Sequence, residues 1–194
     1  FGLGDSGKWY NNTPVGDTIF HLGDFQFAVR NRENKYKIYN RVFSLLHFGI
    51  EQIKENANYL FLKDSIGWKL FSKPEERDLH YYDSIISWDG YAWLFKNGKQ
   101  GIIDLSKLTD EIIEPSYDRI GPYLGGLLLV KNGKLGWIGK TQIPVEFDHI
   151  YKERPDILAA QNSSGTIYYD LSSGNKLVAL PTDSVVFYDH FYKV

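Results

Sequence analysis

The residues that could do chemistry in this chain are few and scattered. Its five histidines, His21, His47, His80, His149 and His190, show no H-x-x-H or H-E-x-x-H spacing. A zinc site would therefore need ligands gathered from distant segments. Four aspartates, Asp83, Asp118, Asp148 and Asp189, each follow an aromatic residue, and a ring of carboxylates for a cation is one use for them. The other is structural: an Asp at a strand or turn boundary accepts hydrogen bonds from its own turn backbone. Repetition favours the structural role, because one active site does not need a copy per unit. His149 and His190 directly follow such pairs and read as surface or core residues.

Nucleophilic and acid–base chemistry finds no support. There is no cysteine, no G-x-S-x-G, no Walker A and no Rossmann glycine pattern. The stretch from Ser163 to Gly165 reads as a hairpin turn. The acid pairs Asp110-Glu111 and Glu75-Glu76 fall on predicted loops, whereas a glycosidase needs two carboxylates converging across a cleft. The reading is non-enzymatic, without metal or cofactor.

Aromatic residues are the surplus, at 16% of the chain, with 14 Tyr, 12 Phe and 5 Trp. Tyr91, Trp93 and Phe95 alternate on one strand face and read as core. Trp9, Tyr10, Trp88, Tyr123 and Tyr151 fall near turns or predicted strand ends. Amphipathic rings there can face a protein partner or the flat face of a sugar. Asn11 and Asn162 match the glycosylation pattern at chance level.

The elements that must position these residues are legible through a repeat. YAWLFKNGKQGIID at Tyr91 to Asp104 and LLLVKNGKLGWIG at Leu127 to Gly139 each place apolar runs on both sides of Lys-Asn-Gly-Lys. That is a β-hairpin pattern with Asn97-Gly98 and Asn132-Gly133 supplying the positive φ angles of a type I′ turn. Gly98 to Gly133 and Gly101 to Gly136 are both 35 residues apart, so the hairpins belong to one repeating unit. The three clean units from Tyr82 on open on an aromatic-Asp pair, Tyr82-Asp83, Tyr117-Asp118 and Phe147-Asp148, and Pro115, Pro144 and Pro181 are expected at unit ends.

The expected units are about 17–46, 47–81, 82–116, 117–146 and 147–184, with partial units at 1–16 and 185–194. Four short strands per unit approach a small propeller blade. The fold expectation is an all-β repeat protein of one domain over 1–194, a propeller-like ring of about six blades. Its complementary end segments would close the ring, pairing Trp9 near Tyr188; an open array of hairpins is the alternative. Residues 42–57 could also form a short amphipathic helix, though the repeat places a strand there.

The repeat resembles the bacterial WG repeat, also called KWG. The likeness rests on aromatic-Asp-x-Ile, Asn-Gly-Lys-x-Gly and the Pro-ended close, over Tyr82 to Pro115 and Tyr117 to Pro144. The family's Trp is replaced by Ile66, Gln100 and Leu135, and Trp68 and Trp137 lie on the far side of the glycine. The resemblance implies a bacterial interaction module, often of the cell envelope, with no catalytic motif.

Net charge is −2, from 22 basic and 24 acidic residues, and no basic cluster suits a row of phosphates. No apolar run approaches the ~20 residues of a membrane-spanning helix. The chain starts at Phe1 and holds no Met, which fits a removed signal peptide or a longer parent. The expectation is a non-catalytic protein–protein interaction module, an accessory subunit of a bacterial cell-envelope assembly, periplasmic or outer-membrane-associated. A carbohydrate-binding module is the alternative.

Overall fold

The computed structural model describes residues 18–23, 26–56, 58–106 and 112–177, with the backbone of 186–188 and 191–193. The described residues hold strands and no helix. Blade 1 is β1 Thr18–His21, β2 Gln26–Arg30, β3 Tyr36–Asn40 and β4 Leu45–Ile50. Blade 2 is β5 Gln52–Glu55, β6 Tyr59–Lys63, β7 Trp68–Ser72 and β8 Arg77–Tyr82. Blade 3 is β9 Ser84–Trp88, β10 Tyr91–Lys96, β11 Lys99–Asp104 and β12 Ile112–Tyr117. Blade 4 is β13 Arg119–Tyr123, β14 Gly126–Lys131, β15 Lys134–Ile138 and β16 Gln142–Phe147. A three-stranded fifth sheet follows, β17 His149–Arg154, β18 Ile157–Asn162 and β19 Gly165–Asp170, then the hairpin β20 Val186–Tyr188 and β21 Phe191–Lys193.

Each of the four-stranded sheets keeps its strands in sequence order. This meander, repeated along the chain, is a propeller-like repeat architecture. The fourth strand of blade 1 takes in His47 and Phe48, and β4 and β5 occupy the stretch where a helix was the alternative. The closing pair Trp9 and Tyr188 falls on residues 1–17, which lie outside the described set, and on β20, described only in its backbone. Pro115 and Pro144 lie inside β12 and β16, not beyond them. Both are edge strands of their sheets, where a missing N–H can leave the ladder intact.

The chain divides into two compact units, Phe1–Asn97 with Ile102–Ile113, and Gly98–Gly101 with Glu114–Val194. In the first, Leu22, Ala28, Ile38 and Ile50 of blade 1 pack with Leu60, Leu62 and Phe71 of blade 2. Tyr59, Phe61 and Leu70 of blade 2 pack with Ile85, Ala92, Leu94 and Ile103 of blade 3. Strand β6 is therefore buried on both faces, its even residues toward blade 1 and its odd ones toward blade 3. This is why it reads as an unbroken apolar run rather than an alternation. In the second unit Trp137, Ile143 and Phe147 pack on Ile150, Leu158 and Ala160, while Ile157, Ala159 and Tyr168 form a further cluster. Strand β18 repeats the two-faced burial of β6.

The Asn-Gly hairpins have the expected backbone: φ is +52° and +71° at Asn97-Gly98, and +52° and +76° at Asn132-Gly133. The turns one hairpin earlier adopt similar positive φ at Asp89-Gly90 and Leu124-Gly125. Leucine is a poor residue for that region, but the Leu124 side chain packs against the Trp137 core, which offsets the strain.

Candidate functional site

The recurring aspartates turn out to be part of the frame. Asp83, Asp118 and Asp148 donate their backbone N–H to the carbonyls of Phe95, Val130 and Gln161, each at 2.8 Å. Asp83 Oδ2 accepts the Asn97 N–H at 2.7 Å, and Asp118 Oδ2 accepts that of Asn132 at 2.6 Å. The acceptor role is as expected, but the turn served is the Asn-Gly turn 14 residues ahead, not the aspartate's own. The second oxygen is used as well. Lys99 Nζ donates to Asp118 Oδ1, and Lys134 Nζ donates to Asp148 Oδ1 at 2.5 Å. The Lys99 ammonium and then the Asn132 N–H hold the Asp118 carboxyl below the usual carboxylate range. These carboxylates already have partners, and no group of three His, Asp or Glu side chains that could hold a metal occurs among the described residues. Asp189 and His190 lie outside the described set.

The second glycine of Asn-Gly-Lys-x-Gly serves close approach. A Cβ on Gly136 would stand 2.6 Å from Val145 Cγ2 and 2.9 Å from the Ile143 carbonyl oxygen. The β15–β16 register shifts between Leu135 and Trp137, at this glycine. Gly101, its counterpart, is buried in β11.

The predicted binding aromatics separate. Trp9 and Tyr10 lie outside the described residues. Trp88 ends β9 with 63% of its surface exposed, and Ile86 on the same strand face is 55% exposed. Cross-strand pairing sets Trp88 opposite Tyr91 and Ile86 opposite Trp93. The Trp93 ring lies 6.1 Å from both Trp88 and Tyr91. Tyr91, Trp93 and Phe95, expected as core, are half-buried; the core face of β10 belongs to Ala92 and Leu94. Tyr123 is half-buried and structural: its hydroxyl donates to the Ile150 carbonyl at 3.3 Å, and its carbonyl accepts the Trp137 indole N–H at 2.8 Å. Tyr151 is exposed at its sheet's surface, and partial burial raises its phenol above the ordinary value.

Further large apolar side chains are exposed at Val42, Leu45 and Phe48 of blade 1 and at Ile66 in the β6–β7 turn. The sequence reading missed these, because Val42, Leu45 and Phe48 merge with the buried apolar residues around them. It also missed a charged network in the first unit. Tyr81 donates to Asp64 at 2.7 Å, and Lys69 pairs with Asp78 at 3.0 Å beside the buried His47. Its members span residues 47 to 81 with no motif spacing to mark them.

No protein-family model matches the chain, and no curated protein matches it. Solved structures show distant likenesses. One is PorZ, a bacterial surface component of the type-IX secretion system of Porphyromonas gingivalis, at 11% identity over 91% of this chain and 28% of that one, TM-score 0.31. Another is the C-terminal WD40 domain of Sif2, at 11% identity over 87% and 58%, TM-score 0.30. A third is Hsv2p of Kluyveromyces lactis, at 12% identity over 86% and 63%, TM-score 0.28. The chain spans less than two thirds of each of these proteins' solved chains. At such scores they add nothing to the description of the fold.

Proposed function

We propose that this protein is a non-catalytic interaction module that binds another protein, an accessory subunit of a bacterial cell-envelope assembly. The observation that carries the reading is the exposed Trp88–Ile86 face of β9, flanked by Trp93 and Tyr91. An indole held on a rigid strand loses little conformational freedom on binding, and buried Trp anchors dominate many interfaces. The frame supports it too: conserving a turn and its Asp clamp while the outward residues change suits a repeat that presents a surface. The envelope setting rests on the WG-repeat resemblance of the sequence. In this reading the module is periplasmic or outer-membrane-associated.

The test is a photo-crosslinking residue placed at Trp88 in producing cells, with the same residue at the remote Ser163 as control. A discrete adduct from position 88 alone supports the module; equal or absent adducts at both positions overturn it. A second reading, carbohydrate binding, draws on the exposed Trp88 indole with the Trp93 ring 6.1 Å away, since an exposed indole can stack on the flat face of a sugar. Quenching of tryptophan fluorescence by a member of a glycan panel supports it, and a flat response across the panel sinks it.

A further inference from the structure

The seam between blades 1 and 2 contains a run of ionisable groups that the proposed binding face on β9 does not include. His47, on β4, is 6% exposed, and its ring stands edge-on to Phe71 of β7 at 4.8 Å and 88°. Its Nε2 is buried 3.4 Å from Asp78 Oδ1 of β8, close enough for an ion pair but out of line for a hydrogen bond. The other Asp78 oxygen holds the Lys69 ammonium at 3.0 Å. Lys69 of β7 in turn lies 4.9 Å from the centre of the Tyr81 ring. The Tyr81 hydroxyl donates to Asp64 Oδ2 at 2.7 Å, and Asp64 Oδ1 accepts the N–H groups of Ile66 and Gly67. The run therefore ends under the turn that carries Ile66, 78% exposed. The charged groups facing His47 are Asp78 from β8, Lys69 from β7 and Asp64 from the β6–β7 turn, while its cross-strand partner on β3 is the apolar Ile38.

We propose that His47 is an acid-responsive latch: protonation puts a second cation beside Asp78, draws that carboxylate away from Lys69, and loosens blade 1 from blade 2. The physical reason is the mixed setting of the ring. A neutral imidazole is compatible with the dry, aromatic side formed by Phe71, whereas an imidazolium must give up hydration there and compete with an ammonium for one carboxylate. Burial outweighs the attraction of Asp78 and holds His47 below its ordinary value.

The sign follows from linkage. The unfolded chain binds the His47 proton more tightly than the folded one. Stability from this group is complete above the ordinary imidazole value of about 6.5, and is lost as pH falls from there through the lower folded value. Carboxylates act in a separate, lower window near 4.

The experiment uses the full chain. Its first arm is a proton NMR titration of the histidine ring resonances, with His47 assigned by its absence in H47Q. Its second arm is urea unfolding of wild type and H47Q at pH 7.5 and 5.0. The latch predicts a His47 midpoint below 6.5 and a wild-type urea midpoint that falls on acidification more than that of H47Q. Each tenfold gap between the folded and unfolded acid constants weakens folding about tenfold once pH is below both. A His47 midpoint at or above 6.5, or an undiminished fall in H47Q, overturns the latch. D78N, which keeps His47, covers the case in which H47Q does not fold: the histidine resonance whose midpoint it lowers most is assigned to His47. Loss of the carboxylate lowers the His47 midpoint further, and an unchanged midpoint counts against the proposal.

Discussion

The hairpins of blades 3 and 4 are built on one plan and put it to different uses. In both, an Asn-Gly turn hangs from an aspartate 14 residues earlier, and the burial pattern along β10 is that along β14. On the strand before the hairpin, Ile86 and Trp88 of blade 3 sit 35 residues ahead of Gly121 and Tyr123 of blade 4. Trp88 stands in solvent, while Tyr123 is tied at its hydroxyl to Ile150 and at its carbonyl to Trp137. Blade 4 has moved its tryptophan onto β15, into the core, where a Cβ on Gly126 would meet the Trp137 ring at 2.6 Å. The repeat position thus does not fix a residue's role. The contacts of each residue differ: Tyr123 is engaged by Ile150 and Trp137, while Trp88 meets the Trp93 ring at the surface.

Core substitutions provide the largest expected effect and should not distinguish the blades. Leu94→Ala and Leu129→Ala each remove a fully buried side chain, and each should cost about 2–5 kcal/mol in urea unfolding. A much smaller cost at either position would mean that its face is not packed as described. Next comes Trp137→Phe, which leaves the Tyr123 carbonyl without its indole donor and should cost about 1–3 kcal/mol. Trp88→Ala should stay within about 0.5 kcal/mol of wild type while abolishing the crosslink made from a photo-reactive residue at the neighbouring exposed position Ile86. If Trp88→Ala destabilises as much as Trp137→Phe, the contrast between the two blades is lost.

The turns come after these. Asn97→Ala and Asn132→Ala keep a positive φ without the residue best suited to it, and each should cost about 1 kcal/mol. Equal losses would show that the two hairpins share one turn energetics, and unequal ones would sharpen the comparison.

The smallest effect is expected at Asp118, which is solvent-exposed and screened by salt. Its carboxyl is held below the ordinary value by Lys99 and the Asn132 N–H, so its contribution is present above the unfolded carboxylate value of about 3.9 and disappears as pH falls through the lower folded one. Asp118→Asn should flatten that part of the acid unfolding curve. An unchanged curve would leave the clamp without energetic weight. Asp170 offers a reference: the Ser172 hydroxyl, then backbone N–H groups, hold it at about 2 against slight desolvation, within one turn of chain.

Much of the frame could be read directly from the residues. Lys-Asn-Gly-Lys specifies a tight turn because Asn and Gly tolerate positive φ, and two copies 35 residues apart specify a repeat. Other features had no local signature. Leu124-Gly125 forms a comparable turn without the usual residue, since core packing of the leucine compensates for its backbone. The run Tyr59 to Leu62 gave no face, because both faces are buried. The aspartates looked like caps of their own turns because sequence proximity is the only distance a sequence displays.

Local chemistry, then, was enough to set the two Asn-Gly turns and the 35-residue spacing of the hairpins that carry them. Burial was decided in three dimensions, since it depends on which sheet lies against which. Trp88 and Tyr123 differ in exposure, and His47 meets Asp78 and Phe71, only because separate strands are brought side by side. Electrostatics and desolvation act over a few ångströms of space, and residues 31 positions apart, as His47 and Asp78 are, share that space only once blade 1 has packed on blade 2.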